Sequence, residues 1–331
     1  MIKVDDLTVR YGATEVISGL DLHVAKGEFV TLLGSSGCGK STLLRTVAGF
    51  VPAAAGAVII DGQDVTRIPP EDRGVGLVFQ SYALFPHLDV GKNVAFGLRV
   101  KRLSSREVAQ RVDEVLETTG LTHFKKAMPA DLSGGQQQRV AIARVLVTGP
   151  TVILMDEPLS NLDAAMRITL RAEISRLHRE LGMTTLYVTH DQQEALALSD
   201  RVAVMRNGAF EQVASPDAVY HRPATSYVCE FVGSANRLND PLSAAFGLPA
   251  GDEVRYVRPE RIQIGRDLDA GVRATGVVRE RSFLGTITHY TVAIADSDIG
   301  IMTVSEPGDP IQVGDRVSCG FDAVDVIEVP R

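Results

Sequence analysis

The sequence predicts an α/β fold over most of its length and a small all-β barrel at its end. Three observations carry this. Buried-strand runs alternate with helical patterns up to about residue 232. A glycine-rich turn, Gly34-Ser35-Ser36-Gly37-Cys38-Gly39-Lys40-Ser41, joins one such strand to one such helix. After Gly233 the long helical patterns disappear, no lysine follows Lys126, and short β-rich segments punctuated by Gly, Pro and Asp take over.

The turn fits G-x-x-x-x-G-K-[ST], the phosphate-binding loop. Its glycines let the backbone curl so that N–H groups point inward at phosphate oxygens, and the helix N-terminus adds partial positive charge. Lys40 is placed to reach the outer phosphates, and the Ser41 hydroxyl to coordinate Mg²⁺. The apolar run 28–33 before it reads as a buried strand, and 41–49 after it as a helix stopped by Gly49.

Bulk properties set limits. At 331 residues there is room for about two domains. Apolar content of 45% and charged content of 23% are ordinary for a globular chain. A net charge of −7 lacks the basic footprint of a nucleic-acid binder. Cys38, Cys229 and Cys319 are odd in number and widely spaced, which suggests neither zinc nor a disulfide framework and fits a reducing cytoplasm. The first residues lack the apolar core of a signal peptide, and no run approaches the roughly 18 apolar residues that cross a bilayer. A membrane role is therefore expected to come through a partner.

In chain order, segments 2–4, 7–10 and 20–24 alternate like antiparallel strands, with Tyr11 and Gly12 between two of them. Tyr11, an aromatic ring ahead of the phosphate loop, either stacks on an adenine or covers a strand end. Residues 57–60 and 76–79 read as short strands, the latter ending at Gln80. Residues 104–120 read as an amphipathic helix, capped by Ser104 or Ser105 and stopped by Gly120. Leu132-Ser133-Gly134-Gly135-Gln136 opens another helix and repeats the logic of the phosphate loop: glycines at a helix N-terminus. The run 152–157 is an apolar strand ending in two acids, Asp156 and Glu157. Adjacent carboxylates there suit a Mg²⁺ near Ser41 and an attacking water, or else are solvated turn acids before Pro158. A long helix over 164–181 precedes a strand over 184–189 that ends at His190, at the edge where open parallel sheets bind ligands. Residues 202–208 read as a hairpin strand and turn. The tail segments are 254–264, 272–279, 287–295, 301–304, 317–321 and 326–329.

Together these motifs resemble the ATP-binding subunit of an ABC transporter, in the family order: Tyr11, the loop 34–41, Gln80, the signature 132–136, Asp156 and Glu157, Ser160-Asn161-Leu162-Asp163, and His190. The tail is similar to the small oligonucleotide-fold-type regulatory barrel of one importer subgroup, through Val257-Arg258-Pro259-Glu260 and Phe283-Leu284-Gly285-Thr286. The resemblance implies an ABC-type P-loop ATPase with an antiparallel β subdomain over 1–233, a helical subdomain at about 90–150, and a regulatory barrel over 234–331. It implies that Tyr11 stacks on adenine and that Gly34, Ser35, Ser36, Gly37, Cys38, Gly39, Lys40, Ser41 and Thr42 hold ATP. Ser41, Gln80 and Asp156 would surround Mg²⁺. Glu157 would be the general base, with His190 and Lys40 at the γ-phosphate. Ser133, Gly134, Gly135 and Gln136 would meet ATP bound to a second copy of the chain, and Asp163 would lie at the seam.

The implied partners are ATP, a second copy, integral-membrane permease subunits that dock near 81–90, and indirectly an extracytoplasmic solute-binding protein. The segment 81–86 with Leu88 and Val90 would then expose apolar and aromatic residues to that partner, or else any one of them makes a plain core contact. No nucleic-acid partner is implied, and the implied location is peripheral, on the cytoplasmic face of the inner membrane. The cargo reads closest to polyamine, phosphonate or ferric iron. The rival reading is a soluble ABC ATPase acting on ribosomes or DNA, but the chain shows no second cassette, basic arm or zinc insertion.

Overall fold

The computed structural model describes residues 1–99, 103–266, 268, 271–304 and 311–330. The chain divides into two compact units, Met1–Pro216 and Asp217–Arg331.

The first unit runs β1 (Ile2–Tyr11), β2 (Thr14–Val24), β3 (Phe29–Gly34), α1 (Lys40–Ala48), β4 (Ala55–Ile60), β5 (Gln63–Asp64), β6 (Val75–Val78), α2 (Val90–Ala95), α3 (Ser105–Thr118), α4 (Gly134–Leu146), β7 (Val152–Asp156), α5 (Ala164–Leu181), β8 (Thr184–Thr189), α6 (Gln192–Leu198), β9 (Arg201–Arg206) and β10 (Ala209–Ala214). Its main sheet has the order β10-β9-β3-β8-β7-β6. All pairs are parallel except the edge hairpin β9–β10, whose turn residues Asn207 and Gly208 take φ of 48° and 81°. β3, β7 and β8 are buried along their whole lengths, which is why they read as unbroken apolar runs. A second, antiparallel sheet, β2-β1-β4-β5, alternates buried and exposed residues along β1. Ile2, Leu7 and Val58 from it share a core with Leu32, Leu43 and Leu186.

Helix α1 ends as the sequence predicts, with Gly49 at φ 89°. Its last carbonyls also meet a cation. Arg73, 7% exposed, donates from Nη1 to Thr46 O and Val47 O, both at 2.9 Å. A guanidinium there neutralises the negative helix end. Ser104 caps α3 in a reciprocal capping box with Glu107. Helices α2, α3 and α4 bury Val94, Leu116 and Val140 together. Helices α2 and α6 went unread because each is shorter than two turns and shows no period.

The segment after Gln80 is less open than expected. Tyr82 and Val90 are buried, at 8% and 0% exposure. Asn93, fully buried on α2, fixes the loop by accepting from Phe85 N and donating to Phe85 O and Leu88 O. Ser81, Ala83, Pro86 and His87 stay exposed, and the Phe85 ring lies against Phe96 with centroids 4.3 Å apart and planes tilted by 39°.

His178 on α5 is buried edge-on to Phe29, with Nδ1 3.3 Å from Thr185 Oγ1. Burial holds its pKa below the usual 6.5. A depressed base stays neutral in the fold while the unfolded chain takes up a proton, so its contribution is complete above pH 6.5 and is lost as pH falls through the folded value. Denaturant unfolding is expected to lose up to about 1.4 kcal/mol per pH unit to this proton below pH 6.5. His178→Gln flattens that slope; an unchanged slope refutes the assignment.

The second unit contains α7 (Pro216–His221), α8 (Ser226–Phe231), β11 (Asn236–Leu238), α9 (Asp240–Ala245), β12 (Val254–Val257), β13 (Gln263–Gly265), β14 (Val272–Phe283), β15 (Ile287–Ile294), β16 (Ser297–Val304), β17 (Arg316–Phe321) and β18 (Ile327–Val329). Two antiparallel sheets form, β11-β12-β18 and β13-β17-β14-β15-β16, and the edges β13 and β16 of the larger one approach each other. Val257, Val292, Ile301 and Phe321 fill its interior. The segment 254–264 is not one strand: it breaks at Pro259, which opens a single 3₁₀ turn.

The unit begins well before residue 234, and Arg258 shows why. It is 1% exposed and donates to Tyr220 O, Cys229 O and Ser234 O at 2.8, 3.0 and 3.0 Å. Its guanidinium lies 4.2 Å from the Tyr220 ring centroid. The helical stretch 217–233 thus belongs by contact to the β-rich tail, although its composition resembles what precedes it.

Candidate active site

Sheet register assembles the site before any side chain is considered. Leu33 pairs with Thr189, Val188 with Asp156, and Met155 with Val78. The loops leaving β3, β8, β7 and β6 therefore start in one row at the C-terminal edge, carrying the phosphate loop, His190, Glu157 and Gln80.

In the phosphate loop, Gly37 and Gly39 take φ of 82° and 108°, a region closed to most side chains. Gly34 is required for another reason: a Cβ there would sit 2.4 Å from Met205 O and 2.6 Å from Cys38 Sγ. Ser35, Ser36 and Gly37 are exposed at the mouth, while Cys38, Gly39 and Lys40 are buried beneath. Lys40 Nζ donates to Gly34 O at 2.8 Å and Ser35 O at 2.9 Å, so the ammonium is held inside the curl. Thr42 follows Ser41 on the first turn of α1, and its carbonyl accepts from Thr46.

Ser41 Oγ donates to Asp156 Oδ1 at 2.7 Å. The other carboxylate oxygen accepts from Arg45 Nη2 at 3.2 Å. Arg45 was not singled out from sequence, yet it lies four residues after Ser41 on the same helix face. The Ser41 hydroxyl and a carboxylate only 5% exposed are hard oxygen donors, a set that suits Mg²⁺.

Glu157 takes φ 44°, an uncommon conformation for a non-glycine residue. Its N–H donates to Val188 O and its carbonyl accepts from Ser160 Oγ. This turn aims the carboxylate at His190, whose Nδ1 lies 3.1 Å from Glu157 Oε2. Gln80 reaches the same loop, donating to Ser160 Oγ at 3.2 Å, while its carbonyl accepts from Asn161 at 3.0 Å.

Behind His190 sits a buried polar cluster unnoticed in the sequence. Glu194 Oε2 accepts from Tyr187 OH and Thr189 Oγ1, both at 2.8 Å. Burial raises the Glu194 carboxyl above its usual range, against the two hydroxyls that favour its ionised form. Burial, and then the Glu194 charge, raise the Tyr187 phenol well above its usual value.

Tyr11 ends β1 half exposed, so it does not cover the core. The signature residues lie elsewhere in the chain. Ser133 caps α4 and exchanges hydrogen bonds with Gln136. Gly134 and Gly135 form the first turn. Gly135 also permits close packing, since a Cβ would meet Met166 Sδ at 2.7 Å. Ser133, Gly135 and Gln136 line a cleft of about 400 Å³ with Asp163, and its described lining includes no phosphate-loop residue. Asp163 caps α5 through Met166 N.

The family profile of the ABC transporter matches residues 17–160, and that of the TOBE domain residues 256–327. An uncharacterised ABC transporter ATP-binding protein of Sinorhizobium fredii is 45% identical over 96% of this chain and 93% of its own. The chain belongs to the ABC transporter family. The spermidine/putrescine import ATP-binding protein of Thermobifida fusca is 46% identical over 88% of this chain and 83% of its own. A dimeric ATP-binding cassette in a post-hydrolysis state with ADP and Pi is 32% identical, covering 65% of this chain and 99% of that one at a TM-score of 0.58. The chain is an ATP-binding, ATP-hydrolysing subunit of the ABC importer type. Among the described residues no helix is long and apolar enough to cross a membrane.

Proposed function

We propose that two copies of the chain close around ATP and that hydrolysis at their shared sites drives uptake of a polyamine-class solute through membrane-spanning partners. One observation carries the shared site: among the described residues glycine-rich turns open α1 at Lys40 and α4 at Gly134, a geometry suited to anions, and the described lining of the cleft at the second includes none of the first. In a two-fold dimer each site takes one start from each copy. A dimeric relative with ADP and Pi supports this arrangement, and a polyamine-importer relative supports the cargo class.

The residues divide the work. The loop Gly34 to Ser41, with Thr42, cradles the phosphates, and Lys40 leaves its carbonyl partners to meet them. Tyr11, half exposed at the end of β1, stacks on adenine. Ser41 and Asp156, with Gln80, would hold Mg²⁺, which would neutralise charge on the phosphates. Glu157 orients the attacking water and accepts its proton. His190, held against Glu157, donates to the γ-phosphate oxygens. Ser133, Gly134, Gly135 and Gln136 of one copy cover the nucleotide of the other. The chain then sits peripherally at the cytoplasmic face, and the segment near 81–90, where Ala83 and Pro86 are exposed, meets a permease. The permease in turn receives solute from an extracytoplasmic binding protein.

Asp156→Asn is expected to raise the Mg²⁺ concentration needed for half-maximal ATPase by at least about tenfold; an unchanged Mg²⁺ titration refutes the assignment. The uptake role is tested by tagging the chain in its native cell, solubilising membranes with ATP and Mg²⁺, and identifying what co-purifies. A multi-span permease is the expected companion. Recovery of only ribosomal or DNA-associated proteins overturns the importer role.

A further inference from the structure

The two catalytic loops, 157–163 and 189–191, touch at Glu157 and His190 and are joined a second time by a residue so far without a role. Arg167, on the first turns of α5, donates from Nε to Leu162 O at 2.9 Å. Its Nη1 lies 3.7 Å from Asp191 Oδ2. Asp191 follows His190 and uses its other oxygen, Oδ1, to cap α6 through Glu194 N at 3.0 Å. Arg167, His190 and Asp191 line one cleft.

These contacts close a ring. From Glu157 it passes to His190, along the backbone to Asp191, across to Arg167, back to Leu162, and through Ser160 to the Glu157 carbonyl. Gln80 hangs on the same ring through Ser160 and Asn161. Thr189, the residue before His190, is fixed by buried Glu194. The His190 side chain itself is half exposed. Its position therefore depends on the residues either side: Asp191 donates from its N–H to Thr189 Oγ1 at 2.9 Å and caps α6, and Arg167 links it to the Leu162 loop.

We propose that Arg167 is a positioning residue for hydrolysis, locking the loop at the dimer seam to the turn that carries His190, so that Glu157 and His190 are set together. The inference rests on the ATPase site proposed above. The planar fork of arginine suits the task, because Nε serves the carbonyl while Nη1 faces the carboxylate. Lysine has three donors on one nitrogen but no rigid fork, so it does not hold the carbonyl and the carboxylate in this fixed geometry. The same tie passes any movement of the 160–163 loop, which contains Asp163 of the seam, to the hydrolytic pair of its own copy.

The test is a double-substitution cycle on the full chain, reading kcat and KM for Mg–ATP hydrolysis. Arg167→Lys breaks the fork. Asp191→Asn keeps the helix cap, since asparagine caps as well as aspartate, but removes the charge that faces Arg167. Each single variant is expected to lower kcat about tenfold with KM within about twofold, because misplaced groups cost turnover rather than binding. The double variant is expected to lose no more than the worse single one. A purely structural clasp would lower the melting temperature and leave kcat of the folded fraction unchanged, which overturns the proposal. Losses that multiply in the double variant also overturn it. If Arg167→Lys fails to fold, Asp191→Asn alone decides, by a lowered or an unchanged kcat. A wild-type chain that does not hydrolyse Mg–ATP overturns both this inference and the site on which it rests, whereas a hydrolysing wild type with multiplying losses overturns this inference alone.

Discussion

Glu157→Gln is expected to lower kcat for ATP hydrolysis by about 10²–10⁴, the usual contribution of a positioned general base, and to leave ATP binding intact. The reason is local. The left-handed turn at Glu157 and its two backbone hydrogen bonds aim the side chain at His190 whatever its charge. Gln is nearly isosteric, so the turn and the phosphate loop persist while the proton acceptor is lost. Bound ATP then survives, and the closed pair of subunits accumulates. Single-turnover kinetics read the first effect, and gel filtration with ATP and Mg²⁺ reads the second. A variant that retains more than about a tenth of wild-type kcat would place the base elsewhere.

Arg258→Met destabilises the second unit by roughly 3–5 kcal/mol. The side chain volume is nearly kept, so the loss is not a cavity. It is three main-chain carbonyls, those of Tyr220, Cys229 and Ser234, left without this donor, the Cys229 one fully buried and the Tyr220 one partly so. The contact with the Tyr220 ring is lost as well. Denaturant unfolding, followed by limited proteolysis within 217–331, measures the change. A loss below about 1 kcal/mol would mean that water replaces the guanidinium at these carbonyls.

The two substitutions divide along what could be read in advance. Glu157 was legible because a strand buried on both faces leaves an unbroken apolar run, and two acids ending such a run stand out. The glycines of the phosphate loop were legible because phosphate binding demands backbone conformations that side chains forbid. Most strands of the tail were legible from their alternation. Arg258 was noticed only as part of a short recurrent segment, and nothing in its sequence neighbourhood says that it binds residues up to 38 positions away. Tyr82 shows the converse: an aromatic residue beside Gln80 looks available to a partner, yet folds inward at φ 60°.

The sequence by itself determined the elements whose chemistry is local: the phosphate loop, the signature turn, the acids at a strand end, the helix cap at Ser104, and the alternation of the barrel strands. These follow from backbone conformation and hydrogen bonds within a few residues. The tertiary structure alone decided the parts built on long-range contact. It set Arg45 on Asp156 across 111 positions, Gln80 on Ser160 across 80, and Arg73 on the end of α1. It drew the line between the two units at Pro216 rather than where composition changes. Such contacts depend on register between strands and on which helix lies beside which, and neither is encoded in any window short enough to show a pattern.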